Sequence, residues 1–371
     1  MEDIILLKPK IIINKKKNLY FLGFNKFIGM YLIIRMHLYS NRIMDFDYGI
    51  RMCELLFISS GFLVGYNYYN NQMEFTYISP FKYAYKHIRN FYPFYLLNLF
   101  YGLYLFKDTL NFNLTYIELL LINLLMIANW SSHGSIARFH FGISWFLDNI
   151  LYCYFLSPIL LYSINGVKNS LKLFFYTSMI RILAEELLNH GAFNVFDTNF
   201  HCGPIIRILE FYMGMLLSPL YFHFKLKLDK YQKNCSLKIV FTIIQIILPI
   251  CLYYFMVKYN KILFRCYFVL IFCLYVFIIS YDNGFLSNLC SKSILITIMS
   301  AQLEMYLIQM NVHITIEKYL NKKALYKIPG LVIFYFKLIT IFIFSFFYRK
   351  YYRDKFAKLL DKLIFLIIKY L

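Results

Sequence analysis

Apolar residues occur along this chain in long runs that short polar segments separate. Most of the runs approach the roughly 20 residues that an α-helix needs to cross the hydrocarbon core of a bilayer. We mark eleven of them, at 19–40, 49–69, 91–107, 115–128, 141–163, 171–188, 204–222, 238–257, 261–281, 293–316 and 330–348. The pattern predicts an all-α protein, a polytopic bundle of transmembrane helices.

Lysine and arginine gather between the runs, as they do on the cytoplasmic side of membrane proteins. Both ends of the chain and the segment 223–238 are rich in these residues, so we expect all three in the cytoplasm. This arrangement needs an even number of spans. The run 115–128 is short enough to be a re-entrant helix, which leaves ten full spans. The basic loop 317–328 conflicts with this count, because the count places it outside.

The composition of the 371 residues agrees with this class, since 60% are hydrophobic and the mean hydropathy is +0.56. We expect a cytoplasmic segment over 1–18, one transmembrane domain over 19–348 and a basic interfacial helix over 349–371. The formal charge of +20 lies between apolar runs, which argues against a nucleic-acid partner. The eight cysteines include no CxxC pair, so neither a metal site nor a redox couple is predicted.

The first run carries Lys26, Arg35 and His37, although a cation at mid-bilayer costs about 2.5–3.5 kcal/mol on insertion scales. Lys26 and His37 are eleven residues apart. In an α-helix this spacing puts them on one face, roughly 16 Å apart along the axis, and Arg35 on the other side. The spacing predicts a polar stripe through the membrane.

The second run, 49–69, contains Ser59, Ser60 and Gly61 inside an otherwise apolar helix. Small residues let helices approach closely, and hydroxyl groups bond across helices or to the backbone. Close helix packing and a place in the lining of a pocket both stay open for these positions. Glu54 lies near the outer end of the run, where we expect water to solvate it.

The tenth run, 293–316, carries polar side chains that include Glu304, Tyr306 and Gln309. A carboxylate inside the membrane is a functional-site candidate by default. We expect Glu304 either to neutralise the cations of the first run or to orient His37 in a base–carboxylate pair. The sequence does not separate the two roles.

Three further positions attract attention because of their residue type. Trp145 lies near the start of the fifth run and is a candidate interface anchor. Arg207 and Glu210 are three residues apart in the seventh run, which most simply makes them an internal ion pair.

A basic stretch precedes the third run, with Lys82, Lys86, His87 and Arg89 close together. Such a cluster on the cytoplasmic side suits a ligand that carries phosphates. An ordinary positively charged anchor that meets anionic lipid explains the same charges. Both interpretations stay open on charge alone.

Taken in chain order, these segments resemble the membrane-bound acyltransferase family 3, which includes O-antigen and other surface-polysaccharide acetyltransferases. The similar segments are Lys26 with His37, 57–63 (Phe-x-x-Ser-Gly-Phe), the basic run ending at Pro93, 144–158, 207–214 and 300–309. The chain also departs from the family pattern. Lys26 stands in place of an arginine, His87 and Asn90 fall where two arginines are expected, and Gln309 replaces a late histidine.

The resemblance implies transfer of an acyl group, most simply acetyl, from cytoplasmic acyl-coenzyme A to a hydroxyl group. The acceptor is a surface glycan or a lipid-linked sugar, the setting a bacterial inner membrane with both chain termini cytoplasmic, and no cofactor is permanently bound. His37 is expected to be the general base or, less favoured, a transient acyl carrier. Lys26 is expected to stabilise the thioester oxygen or to hold a ligand phosphate.

The remaining residues of the expected site are assigned on the same resemblance. Ser60 beside Gly61 would line the pocket, Glu304 would support His37, and the phosphates of coenzyme A would dock on the basic stretch. The expected substrate-binding residues are Ser60, Gly61, Lys82, Lys86, Arg89, Trp145, Arg207 and Tyr306.

Two other functions compete with acyl transfer. A transporter or flippase for an envelope lipid or sugar would use the same polar stripe as a path. Against it, the sequence has no paired halves with Gly/Pro-broken helices in matching positions. A family member that has lost its activity and assists a glycan-assembly machine is the third possibility, because Lys26 and Gln309 depart from the family pattern.

Overall fold

The computed structural model describes residues 19–38, 45–70, 79–105, 114–128, 144–189, 203–228, 235–258, 262–319 and 330–370. Every regular element in these ranges is a helix, and no strand occurs among them. The all-α fold class is therefore confirmed. All eleven apolar runs contain helix.

The helices of the first half are α1 (Tyr20–Leu38), α2 (Asp45–Asn70), α3 (Pro80–Ile88), α4 (Tyr92–Leu105), α5 (Leu114–Leu124), α6 (Ser144–Ser163) and α7 (Gly166–Asn189). They continue with α8 (Pro204–Leu228), α9 (Cys235–Lys258), α10 (Ile262–Ile279), α11 (Phe285–Cys290), α12 (Ser293–Ser300) and α13 (Gln302–Tyr319). Helix α14 (Gly330–Phe347) leads through a π-helical turn (Tyr348–Tyr352) into α15 (Arg353–Tyr370).

Several of the described helices are compatible with a membrane protein. Four helical stretches are long and apolar enough to cross a bilayer: Trp145–Ser163, Pro204–Leu228, Cys235–Met256 and Gly330–Leu366. A fifth results if α12 and α13, which meet at a bend of 48°, form one broken span. This number is smaller than the ten spans expected from the sequence. Helices α4 and α5 are short, and charged residues lower the mean hydropathy of α1, α2 and α7.

The centre of the molecule is the contact between α2 and α8, the most extensive helix pair of the described residues. Two glycines allow it. A methyl group added at Gly61 would fall 1.8 Å from the carbonyl oxygen of Phe211, and one added at Gly214 would fall 2.0 Å from that of Ile58. Each helix backbone therefore touches the other directly, which requires small residues at the crossing.

Helix α1 packs between α2 and α13, and its first turn is fixed by a carboxylate that follows α10. Asp282 accepts hydrogen bonds from the backbone N–H groups of Tyr20 (3.2 Å) and Phe21 (3.1 Å). These N–H groups have no partner inside the helix and carry partial positive charge, so a carboxylate stabilises them. The Tyr275 hydroxyl donates to Asn25 one turn later. The helix that carries Lys26 and His37 is thus held at its start.

Candidate functional site

Lys26 reaches the small-residue segment of α2. Its Nζ donates a hydrogen bond of 3.1 Å to Ser60 Oγ, and Ser60 is buried. Among the described residues no carboxylate forms an ion pair with Lys26. An ammonium group that is inside the helix bundle without a counter-charge is a natural binding point for an anionic group of a ligand. The structure thereby joins two of the predicted site residues.

His37 lies at the opposite end of α1 and faces α13 instead of α2. Its imidazole is next to the side-chain amide of Gln309. Within the described ranges, His37 Nδ1 and both polar atoms of the Gln309 amide are buried and make no hydrogen bond of acceptable geometry. The two residues of the predicted stripe therefore contact different helices. Lys26 contacts α2, and His37 contacts α13.

Glu304 pairs with a different residue from those expected. Its carboxylate pairs with the Arg349 guanidinium at 3.1 and 3.3 Å, and Glu304 itself is buried. The expectation that Glu304 supports His37 or neutralises Lys26 is thus wrong for this structure. Arg349 belongs to the π-helical turn after α14, 45 residues from Glu304 in the chain. Residue spacing within one helix cannot predict such a contact.

A second polar cluster, which the sequence analysis missed, lies one turn beyond Gln309 on α13. Lys337 Nζ donates to His313 Nδ1 at 2.7 Å and to the Glu317 carboxylate at 3.1 Å. His313 Nε2 is 3.4 Å from the same carboxylate. Lys337 is 3% exposed although α14 is otherwise apolar. Lys337 is the single charged residue of α14, and this feature of the sequence could have indicated the cluster.

The helix bundle contains a buried network of alternating charges. It joins α2, α7 and α8 through Arg51, Glu54, Arg181, Glu185, Arg207 and Glu210, with nitrogen–oxygen distances from 2.5 to 3.7 Å. The expected ion pair between Arg207 and Glu210 is confirmed at 2.5 Å. The expectation of a solvated Glu54 is wrong, because this side chain is 1% exposed and surrounded by arginines.

The network engages Arg207, which the resemblance assigned to substrate binding. Its guanidinium is 1% exposed and stacks on Phe57 and Trp145, with centroid distances of 5.5 and 5.6 Å. Such cation–π contacts and ion pairs satisfy a buried arginine. Trp145 therefore supports the network.

Two further predicted site residues have packing roles. Tyr306 is buried on α13, where its ring contacts Phe146 edge-on with a centroid distance of 5.3 Å. Gly61 faces the α8 backbone at the contact described above. The sequence left packing and lining open for Gly61, and the structure favours packing.

The basic stretch forms the amphipathic helix α3 and its end. Lys82 and Lys86 are exposed, as a docking site for phosphates requires. Arg89 instead lies 3.5 Å from the Asp361 carboxylate on α15, and the hydroxyl of Tyr85 donates to the same carboxylate at 2.5 Å. Helix α15 thus partly neutralises the cationic surface that the sequence predicted.

His87 does not contribute to the cationic surface. Its ring stacks between those of Tyr83 and Tyr154, with both centroid distances at 4.4 Å. Burial lowers the pKa of His87 below its usual range, the Tyr83 carbonyl opposes this shift, and nearby Lys86 adds to it. His87 is therefore neutral at pH 7. Burial and the bond to Asp361 also raise the pKa of Tyr85 to about 12.

A crevice of about 430 Å³ opens between α4, α13 and α14. Its walls are mainly apolar, and Asn98, Asn311 and Thr315 provide polar atoms. Asn311 Nδ2 donates to the Asn98 backbone carbonyl (2.8 Å) and side-chain oxygen (3.1 Å), and Asn98 Nδ2 donates to the Phe94 carbonyl (2.7 Å). The crevice contains none of the predicted site residues.

In the part of the chain that the structure describes, no group of three or more His, Cys, Asp or Glu side chains is placed to hold a metal ion. Comparison with protein-family models, with curated proteins and with solved structures finds no match to this chain.

Proposed function

We propose that this protein is an integral membrane O-acyltransferase. It transfers an acyl group, most simply acetyl, from cytoplasmic acyl-coenzyme A to a hydroxyl of a cell-surface glycan or lipid-linked sugar. The observation that carries the proposal is the pair of groups on α1: an ammonium without a carboxylate partner among the described residues, and an imidazole whose buried Nδ1 makes no hydrogen bond there. The sequence resemblance supplies the reaction class.

The length of α1 gives Lys26 and His37 separate roles. The helix is continuous from Tyr20 to Leu38, so Lys26 and His37 are separated by roughly 16 Å along its axis. The two side chains therefore do not act on one carbonyl group. We assign Lys26, with Ser60, to an anionic part of the acyl donor, and His37 to the reacting atoms.

The proposed reaction needs a single base. The His37 imidazole takes the proton of the acceptor hydroxyl while the oxygen attacks the thioester carbon. A C–O bond forms, the C–S bond breaks, and the departing coenzyme A thiolate takes the proton back from the imidazolium. Glu304 has no role in this step, because it pairs with Arg349.

The membrane arrangement proposed with this function has ten spans and both termini in the cytoplasm of a bacterial cell. Lys82 and Lys86, together with Arg89, receive the phosphates of coenzyme A on the cytoplasmic side. The exposure of both lysines supports this assignment, and Arg89 takes part when Asp361 releases it.

The direct test uses purified protein in proteoliposomes, labelled acetyl-coenzyme A and a crude lipid-linked glycan fraction. We expect label in the glycan with wild-type protein and a loss of at least 100-fold with His37→Ala, the low end of a general-base contribution. The matched control is His223→Ala, a histidine near the end of α8 outside the site. Equal transfer by wild type and His37→Ala contradicts the role of His37.

A transporter for an envelope lipid or sugar is the second candidate. One observation favours it: α12 and α13 are the two parts of a helix bent by 48°, and broken helices are a feature of transporter sites. Substrate movement that survives His37→Ala in the absence of acyl transfer would favour the transporter. An assembly role without catalysis, consistent with Gln309 in place of a histidine, predicts neither activity.

A further inference from the structure

Among the described residues of α13, Gln309 is the side chain in which both amide atoms are buried without a hydrogen bond of acceptable geometry. It is 0% exposed, and neither atom of its amide makes a hydrogen bond to any residue that the structure describes. Leaving a buried donor or acceptor unpaired costs about 1–3 kcal/mol, so folded proteins rarely keep such groups without a use.

The neighbours of Gln309 on the same helix make the contrast clear. Glu304 pairs with Arg349, and the Asn311 amide bonds to α4. His313, one turn after Gln309, has both ring nitrogens engaged, by Lys337 and by Glu317. These three side chains are satisfied, whereas Gln302 Oε1 on the same helix is also buried without a partner among the described residues. Of the two glutamines, Gln309 is the one that lies next to His37.

The chemistry of the pair indicates what it binds. A glutamine amide offers two N–H donors and one acceptor, and a neutral imidazole offers one donor and one acceptor. Together they match adjacent hydroxyl groups, each of which donates one hydrogen bond and accepts others.

The charges nearby indicate that the ligand is neutral. Among the described residues of α13, Glu304 is compensated by Arg349, and Glu317 by Lys337. A phosphate or an ammonium group brought to Gln309 would find no free counter-charge on α13, which makes its burial there unfavourable. An uncharged polyol avoids this cost.

We propose that Gln309 is a positioning residue that holds the acceptor at His37 through its hydroxyl groups, and that the acceptor is a neutral sugar unit with adjacent hydroxyls. This inference rests on the proposed function, whose site it deepens. The amide fixes the sugar, and the imidazole takes the proton.

The test compares wild-type protein in proteoliposomes with Gln309→Met, which keeps the length of the side chain and removes both polar groups. The acceptors are methyl glucoside, methyl glucosaminide and glucose 1-phosphate, with labelled acetyl-coenzyme A as donor. We expect wild type to prefer the neutral glucoside. Gln309→Met should raise the KM for it roughly 10-fold to 100-fold, as the loss of one or two hydrogen bonds predicts.

A control variant separates positioning from a structural effect. The control Gln245→Met removes a buried amide (3% exposed) whose nitrogen donates to Ser287 Oγ (2.7 Å). We expect it to lower thermal stability and leave the acceptor KM unchanged.

A binding measurement distinguishes failure of this inference from failure of the proposed function. Methyl glucoside should raise the Tm of wild type but not that of Gln309→Met. If the shift is seen but no acyl transfer occurs, the sugar site stands and the acyltransferase proposal falls. If wild type transfers acetyl groups and Gln309→Met keeps the same KM and the same Tm shift, the inference about Gln309 is overturned.

Discussion

The buried charge network provides the strongest prediction about stability. Arg181 lies at its centre, 2.7 Å from Glu185, 2.8 Å from Glu210 and 3.7 Å from Glu54. The network contains three arginines and three glutamates, so its formal charge is zero when all are ionised. Replacing Arg181 with methionine removes one positive charge from a site where its glutamate partners are at most 1% exposed.

The expected magnitude follows from breaking a buried ion pair on one side only. Removing one partner costs about 3–5 kcal/mol, because the other charge stays buried without compensation. The double variant Arg181→Met/Glu210→Gln removes one charge of each sign and restores neutrality. We expect it to recover at least about 1 kcal/mol relative to the sum of the single variants, as for residues in one network.

The assay is equilibrium unfolding of purified protein in detergent, with both single variants and the double variant. Arg89→Met is the matched control, because its pair with Asp361 is exposed (41% and 35%) and is worth about 0.2–1 kcal/mol. If Arg181→Met is no more destabilising than Arg89→Met, or if the two network changes simply add, the view of a coupled network is refuted.

Three shorter predictions concern packing, the cytoplasmic surface and pH. Gly61→Ala should destabilise the α2–α8 contact strongly in thermal unfolding, whereas Gly23→Ala, with nothing within 4 Å of the added carbon, should change little. Asp361→Asn should free Arg89 and lower the KM for acetyl-coenzyme A without changing that for 3′-dephospho acetyl-coenzyme A; equal changes would argue against phosphate docking. Burial depresses the pKa of His87, so its contribution to α3 stability is complete above its unfolded pKa of about 6.5 and is lost as the pH falls below it. Amide protection of α3 should therefore decrease on acidification, and His87→Gln should remove this dependence.

The fold class could be predicted because apolar runs of helical length determine it locally. The pair of Arg207 and Glu210 could be predicted for the same reason, since residues three apart share a helix face. The number of spans was harder to obtain. Charged residues such as Lys26 and Arg181 make some helices less apolar than a membrane span is expected to be. The number of apolar runs in the sequence is therefore larger than the number of helices that are apolar enough to count as spans.

The partners of the site residues could not be predicted, because they come from distant parts of the chain. Glu304 meets Arg349 across 45 residues, and the Lys26–Ser60 contact joins two helices whose relative rotation the sequence does not specify. The amide of Gln309 beside His37 required the packing of α13 on α1 to be known. The resemblance to a family suggests roles for these residues, but only the structure distinguishes Glu304 from Gln309 as the neighbour of His37.

The acyl-ester content of the purified envelope glycan, measured by mass spectrometry, tests the central claim most directly. The strains are wild type, a deletion, and the deletion complemented with wild type, His37→Ala or Lys26→Ala at matched membrane levels. The acyltransferase account predicts that acetyl mass disappears on deletion, returns with wild type and does not return with His37→Ala. An ester pattern that is unchanged by the deletion, or that His37→Ala restores fully, would contradict it.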